Sequence, residues 1–309
     1  MPKISIILPV YNKARHLQET LDAIMTQTYI DYEVIAVDDG STDESIEILK
    51  AFPDARLRIY SQKNQGLSAA RNKGIELAQG ELIALLDADD LWLSNHLEVI
   101  FGLSQKFPDA KLYGTAYQEM FNEGKLVPPF LTFHTTKETI VPDFFTANMG
   151  QPLVIPSSFS FSREVVTALG GFDPDITYAE DVDFYIRGNL KFSLAYTPIT
   201  TCHYRMEGEN QITQSRRSDL NPPQFQKYLD ENPGHKSLAE YINLKRYFLS
   251  NYYKVEGNKK GFKTLKAQIN TDLLSKKQRF MLGAPRFVLL ALRQIKSRLL
   301  KKGKRVTAF

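Results

Sequence analysis

The sequence predicts an α/β fold, a mostly parallel sheet with helices on both faces. Three observations predict it. Short runs rich in Ile, Val and Leu alternate with stretches of helical periodicity over the first hundred residues. The runs carry apolar residues at consecutive rather than alternate positions, as strands buried on both faces do. Three of them stop abruptly at polar residues, and in a strand–helix–strand sheet such stops gather where ligands bind, beyond the carboxyl ends of the strands.

The elements follow in order. "ISIILPV" (4–10) is the first strand. In "KARHLQETLDAIMTQT", Leu17, Leu21, Ile24 and Met25 share a helical face. "EVIAVDD" is the second strand, and Ser41 with Glu44 forms a capping box for "DESIEILKAF". "RLRIYSQ" is a third strand, followed by the helix "GLSAARNKGIELAQG", which aligns Leu67, Ala70, Gly74 and Ala78 and stops at Gly80. "ELIALLDAD" is the fourth strand. Beyond Leu91 the pattern loosens: a helix capped by Ser94, a strand "AKLYGTAYQEMF", then a Pro- and aromatic-rich region from Asn122 to Pro156. A strand and short helix in "SSFSFSREVVTALGG", a helix "AEDVDFYIRGNL" and a strand "KFSLAYTPITTCHYR" complete the sheet region. From Asn221 onward the chain is helical and basic.

With 309 residues, 43% hydrophobic and 24% charged, the chain can bury a sizeable core, which argues against disorder. Its single cysteine, Cys202, excludes an internal disulfide and a multi-cysteine zinc site, and fits a reducing compartment. The opening "MPKISIILPVYN" reads as a strand rather than a signal peptide. No apolar run approaches the ~18 residues of a transmembrane helix.

The polar stops are the candidate site. Pro9 to Asn12, Asp38 to Ser41 and Asp87 to Asp90 fall at the ends of three strands and so on one rim. Asp38 and Asp39 serve either as a turn with a helix N-terminus or as acceptors for a nucleoside. Asp87 and Asp89, as alternate strand residues, share a face and suit a hard divalent cation; otherwise one caps the next helix. Arg71 is a solvated surface residue or a buried one aimed at Asp39 or a diphosphate. Glu180, Asp183 and Arg187 read as an ion-pair row on a helix, with Asp181 on another side, where it could act as a general base.

In combination, "ISIILPVYN", "VDDGSTD", "NQGLSAARNKGI", "LLDADD", "GGFDPD", "AEDVDF" and "HYR" resemble the inverting nucleotide-sugar glycosyltransferases of family 2, with the Rossmann-like GT-A fold. The resemblance covers about the first 210 residues. It implies a catalytic region over 1–220, with a nucleotide-binding half at 1–100, an acceptor-binding half at 101–220, and a helical basic extension at 221–309. Pro9, Val10, Tyr11 and Asn12 would line the nucleotide; Asp38, Asp39, Arg71, Asp87 and Ala88 would hold it. Asp89 would bind manganese or magnesium, with Asp87, Glu207 or His203 as candidate further ligands. Glu207 stands where many relatives carry His. Glu180 and Asp181 would meet the acceptor, Asp181 as the catalytic base of a single displacement.

After Asp272 no acidic residue appears, while 286–305 is rich in Arg and Lys. Val288, Ala291, Leu292, Ile295 and Leu299 share one helical face, with cations largely opposite. That helix either lies on an anionic membrane or packs on the domain. The expected partners are a nucleotide-sugar donor and a saccharide or lipid-linked acceptor, with no nucleic acid, and the expected location is cytoplasmic, peripheral on the inner membrane face. A sugar nucleotidyltransferase is the rival enzyme, although "ILPVYNKARHL" lacks the glycines of its phosphate loop. A catalytically silent sugar-nucleotide binder in a membrane assembly is the rival outside enzymes.

Overall fold

The structure is a computed structural model that describes residues 2–121, 124–206 and 216–301. Four parallel strands begin it: β1 (Ile4–Val10), β2 (Tyr32–Asp38), β3 (Leu57–Ser61) and β4 (Leu82–Leu85). They alternate with α1 (Ala14–Met25), α2 (Ser45–Ala51) and α3 (Leu67–Leu77). Then come β5 (Leu91–Trp92), α4 (His96–Lys106), β6 (Leu112–Phe121), β7 (Lys125–Val127), β8 (Thr139–Ile140), α5 (Phe144–Ala147), β9 (Phe159–Ser162), α6 (Arg163–Leu169), α7 (Glu180–Asn189) and β10 (Leu194–Arg205). Helices α8 (Phe225–Glu231), α9 (Lys236–Glu256), α10 (Lys259–Ala267), α11 (Lys276–Gly283) and α12 (Arg286–Lys301) follow. One sheet runs β3-β2-β1-β4-β9-β6-β10-β5, with β7 on β6 and β8 on β10. The antiparallel β9 joins the parallel half to the parallel β6–β10 pair. This is the α/β, GT-A arrangement with a helical C-terminal region.

Every residue of β1 is buried, because each face of the strand has its own helices. Ile4, Ile6, Leu8 and Val10 pack with Leu17, Leu21 and Ile24 of α1 on one side. Ile7 turns to the other, with Ile35, Val37 and the α3 residues Ala70 and Ile75. The two-residue period of a strand thus feeds two separate cores. Met25, expected on the packed face of α1, is exposed, one position past the stripe.

Several caps differ from expectation. Ser41 and Glu44 form no capping box, and α2 begins only at Ser45 without a side-chain cap. Their loop instead caps α1 across the rim. Asp43 accepts from the Ala14 N–H at 3.0 Å, the Ser45 hydroxyl from the Lys13 N–H at 2.8 Å, and the Ser41 hydroxyl from the Asn12 N–H at 3.0 Å. These are donors that α1 cannot satisfy internally. Helix α4 starts at His96 rather than on a Ser94 cap. Helix α3 ends at Leu77, and Gly80 lies beyond it, pressed on β1; a Cβ there would stand 2.6 Å from the Ser5 nitrogen.

The C-terminal helices share the core of the sheet. Phe225, Tyr228, Leu238, Tyr241, Ile242 and Leu249 join the α3 side of the sheet in one apolar cluster. Helix α12 packs through Leu289 and Leu292 into a smaller cluster with Leu244 and Tyr247 of α9. The expected stripe is therefore shifted: Ala291 and Ile295 face solvent with Phe287 and Leu290. Among the described residues no helix is long and apolar enough to cross a membrane.

Candidate active site

The site forms where β1, β2 and β4 end. Val10 pairs with Asp38, and Ile7 lies between Ile35 and Leu85, so the residues that follow these strands emerge side by side. Tyr11 to Lys13 lead out of the central strand, with Asp38–Asp39 on one flank and Asp87–Asp90 on the other. The rim expected from the three polar stops is present.

Asp38 and Asp39 are held by different partners. Asp38 accepts from the Ser41 N–H at 3.1 Å. Asp39 accepts from the Gln62 side-chain amide at 2.8 Å and from the N–H groups of Gln65 and Gly66 at 2.9 and 2.8 Å. The protein's own loops thus supply donors to both carboxylates. Asp39 fixes the turn before α3, and that turn needs the left-handed φ of 89° at Gly66. Asn12 also holds a left-handed φ of 52°, and its side chain accepts from the Thr42 N–H at 2.7 Å. Pro9 and Val10 are buried, whereas Tyr11 is 42% exposed above the rim.

Strand β4 ends at Leu85, so Asp87 and Asp89 lie in the turn after it and the shared-face argument of a strand does not apply. Different partners hold them. Lys13 places its ammonium 2.6 Å from Asp89. Arg71, fully buried, donates to Asp87 and to Glu180, each at 2.7 Å. Arg71 therefore reaches neither Asp39 nor solvent; it bridges the β4 turn to the head of α7. Burial alone would lower its pKa, but Asp87 and Glu180 outweigh that and hold the guanidinium above its usual range. Ala88 is buried in the same turn.

Asp90, the last residue of the polar stop Asp87 to Asp90, has a structural role there. Fully buried, it accepts from the Ser157 hydroxyl at 2.5 Å and from the Arg205 N–H at 2.9 Å. Arg205 also donates to the Asp89 carbonyl at 2.9 Å, so the end of β10 is tied to the turn. Burial, then the charges of Asp89 and Asp87, push the Asp90 carboxyl well above the usual range. Lys13, Ser157 and Gln62 were missed for one reason: each acts through a partner distant in sequence.

Helix α7 opens at Ala179, whose φ of 61° is left-handed, a strained conformation for a residue with a Cβ. Glu180 and Asp181 follow in its first turn. Burial raises the Glu180 carboxyl, with Arg71 opposing. Asp181 is raised too, chiefly by burial, against the pull of Arg71 and Lys245. The expected row of Glu180, Asp183 and Arg187 divides: Asp183 is fully buried, paired with Arg187 at 2.5 Å and hydrogen-bonded by the Tyr228 hydroxyl, while Glu180 turns to Arg71. A cleft of about 120 Å³, lined by Gln65, Gly66, Ser68, Pro174, Thr177 and Glu180, opens between the α3 turn and α7. The larger opening, about 630 Å³, spreads over the starts of α1 and α2 and meets the site only at Asn12.

A divalent cation of the magnesium type is commonly held by one or two carboxylates and completed by substrate phosphates. Asp89 and Asp87, two carboxylates in one turn, fit such a site if the Lys13 ammonium yields its place. His203 lies within β10, opposite Leu91. Glu207 lies outside the described residues. Among the described residues, no cluster of three or more His, Cys, Asp or Glu is arranged to hold a metal.

Residues 5–168, more than half of the chain, match the family described as Glycosyl transferase family 2. An uncharacterised glycosyltransferase of Rickettsia bellii is 28% identical over 255 residues, 81% of this chain and 33% of its own length. Glycosyltransferase GlyG of Streptococcus pneumoniae is 40% identical over 124 residues, 39% of this chain and 41% of its own. The UDP-Glc:alpha-D-GlcNAc-diphosphoundecaprenol beta-1,3-glucosyltransferase WfgD of Escherichia coli is 29% identical over 164 residues, 51% of this chain and 64% of its own. The chain thus spans less than two thirds of each of these relatives. Among solved structures, TarS of Staphylococcus aureus superposes with a TM-score of 0.62 at 15% identity, covering 97% of this chain and 55% of that one. A TarS fragment in complex with UDP-GlcNAc gives 0.58 at 14% identity, covering 91% and 78%. At such identities the likeness is one of fold.

Proposed function

The chain belongs to glycosyl transferase family 2, and from that premise we propose that it moves a sugar, with inversion, from a UDP-linked donor to a saccharide or lipid-linked acceptor. One observation carries the reading: Arg71 joins Asp87, on the rim where a nucleotide would lie, to Glu180, beside Asp181. A donor-binding turn and a candidate base are thereby held at a fixed separation, as a single displacement requires.

Pro9, Val10, Tyr11 and Asn12 line the nucleoside; Tyr11 has an exposed ring on which a base can stack. Asp38 and Asp39 shape that pocket, and Asp39, which already accepts three hydrogen bonds, has one lone pair left, on Oδ2, for a base N–H. Asp87 and Ala88 border the ribose and diphosphate. Asp89 would hold the cation, with Asp87 beside it, and a bound ion would supply charge neutralisation for the departing diphosphate. Asp181 takes the proton of the attacking acceptor hydroxyl, and Glu180 sets its position. In this reading residues 1–100 handle the nucleotide and 101–220 the acceptor, while 221–309 form the extension.

The names of two similar proteins support the donor and acceptor classes: a UDP-glucose enzyme acting on a diphosphoundecaprenol-linked sugar, and TarS with UDP-GlcNAc. A lipid-linked acceptor in surface polysaccharide assembly would place the enzyme on the cytoplasmic face of the membrane. Stretch 286–305 would meet anionic lipid there. Phe287, Leu290 and Ile295 are exposed on α12 beside Arg293 and Arg298, the composition of an interfacial helix.

Release of UDP from a panel of UDP-sugars with manganese or magnesium tests the reading. Turnover by the wild type, abolished by Asp89→Ala and by Asp181→Asn, is expected. Binding of UDP-sugar without turnover would instead make the chain a silent binder.

A further inference from the structure

Asp181, the proposed base, follows a strained residue. Ala179 holds a left-handed φ of 61°, which a residue with a Cβ keeps only where its surroundings fix it. On its C-terminal side the Glu180 carboxylate accepts from Arg71 at 2.7 Å. On its N-terminal side the fixing groups come from a part of the chain that follows the sheet.

A short 3-10 turn, Arg217–Asp219, and Asn221 after it reach residues 177 and 178. The Asn221 carbonyl accepts from the N–H groups of Thr177 and Tyr178 at 2.9 and 3.2 Å. The Thr177 hydroxyl accepts from the Asn221 N–H at 2.9 Å. Arg217 is buried, and its Nε–H donates to the Tyr178 hydroxyl at 3.2 Å. Tyr178 is therefore held both at its backbone and at its hydroxyl.

Arg217 is itself seated on α9. Its guanidinium lies over the Tyr252 ring, 3.7 Å from the centroid. The Glu256 carboxylate accepts from the N–H groups of Arg217 and Ser218 at 3.0 and 2.8 Å. A planar guanidinium suits this place, because it stacks on one ring while an N–H at its edge reaches another residue. Tyr178 is thus tied to α9 through Arg217, Glu180 is tied to α3 through Arg71, and the strained Ala179 stands between them. Asp181 leaves the first turn of α7 directly after these fixed residues. The same stretch lines the small cleft beside α3 through Ile176, Thr177 and Glu180.

We propose that Arg217, seated on Tyr252 and Glu256 of α9, is a positioning residue that clamps the turn before α7 and so aims Asp181 at the acceptor hydroxyl. The C-terminal helical region then orients the reaction as well as covering the sheet. The role of Arg217 rests on the reading of Asp181 as the base.

The test follows UDP release from UDP-glucose and UDP-GlcNAc, with manganese. The full-length wild type is compared with Arg217→Met, Tyr252→Ala, Tyr252→Phe and Asp181→Asn. Amide hydrogen exchange over residues 177–183 is measured on the same proteins, with β1 and β2 as the internal reference. Arg217→Met and Tyr252→Ala should each lower kcat about tenfold, through misplacement of the base. Amides of 177–183 should exchange faster in both, and those of β1 and β2 should not. Donor KM and the calorimetric Kd for UDP should not change. Tyr252→Phe, which keeps the ring, should recover most of the kcat and of the protection lost in Tyr252→Ala. If Arg217→Met does not fold, Tyr252→Ala carries the same measurements. An unchanged kcat would overturn the proposal, as would a loss confined to UDP affinity or donor KM, or a fall in kcat with unaltered exchange over 177–183. Asp181→Asn separates the two levels. If it releases UDP like the wild type, or if the wild type turns over neither donor, the underlying reading fails. If it is silent while the Arg217 and Tyr252 variants behave normally, only the role of Arg217 falls.

Discussion

The Lys13 ammonium lies 2.6 Å from the Asp89 carboxylate, both side chains largely buried, at the point where the cation of the proposed reaction would sit. A lysine from the turn after β1 thus neutralises the carboxylate that a metal would otherwise claim. Lys13→Met should lower stability by about 3 kcal/mol, the cost of breaking a largely buried ion pair. Added manganese should restore part of that loss and raise the melting temperature of the variant more than that of the wild type. Differential scanning fluorimetry with and without the metal reads both effects, and equal metal shifts in the two proteins would contradict the prediction.

Arg71 is the central bracket of the site, and its fork geometry matters as much as its charge. Arg71→Lys keeps the charge but cannot reach Asp87 and Glu180 together. It should cost about 2 kcal/mol, and Arg71→Met about 4, since the latter leaves two desolvated carboxylates unpaired. Urea denaturation gives the ordering; a Lys variant as stable as the wild type would show that charge alone suffices.

His96 is fully buried, stacked on Trp92 at 4.1 Å, with Nδ1 2.7 Å from the Thr201 hydroxyl. Burial pushes its pKa down from 6.5 to about 3. The unfolded chain takes up a proton below about pH 6.5 that the folded state refuses. Stability present above that pH is therefore lost as pH falls toward 3, by up to about 1.4 kcal/mol per unit. His96→Phe should flatten this part of the stability–pH curve between pH 6.5 and 4. Chemical denaturation at several pH values checks it, and identical slopes would refute the assignment.

Two glycines should respond oppositely to a methyl group. At Gly80 a Cβ would stand 2.6 Å from a backbone nitrogen of β1, which cannot move aside without disturbing the central strand. Gly80→Ala should cost about 2 kcal/mol or more. Gly102, inside α4, has nothing within 4 Å of the added atom, and Gly102→Ala should stabilise by about 0.5–1 kcal/mol through helix propensity. Melting temperatures shifting in opposite directions are the expected outcome.

The sequence by itself determined the order of strands and helices from β1 to β4, because a strand covered on both faces must be apolar at nearly every position, as β1 is with Ser5 its one polar residue. It also determined that Asp38–Asp39 and Asp87–Asp89 share a rim, since parallel strands joined by helices bring their carboxyl ends together. Only the tertiary structure decided what those groups touch. Ser41 and Glu44 looked like a local cap, yet the Ser41–Ser45 loop satisfies the start of α1 instead. Arg71 read equally as a solvated surface residue or as a buried one aimed at Asp39 or a diphosphate; the folded chain buries it on Asp87 and Glu180, 16 and 109 residues away. The pairing of Lys13 with Asp89 leaves no periodic trace, because an ion pair is chosen by proximity in space and by desolvation. Local sequence encodes backbone periodicity and burial; the charge balance of a cleft belongs to the assembled chain.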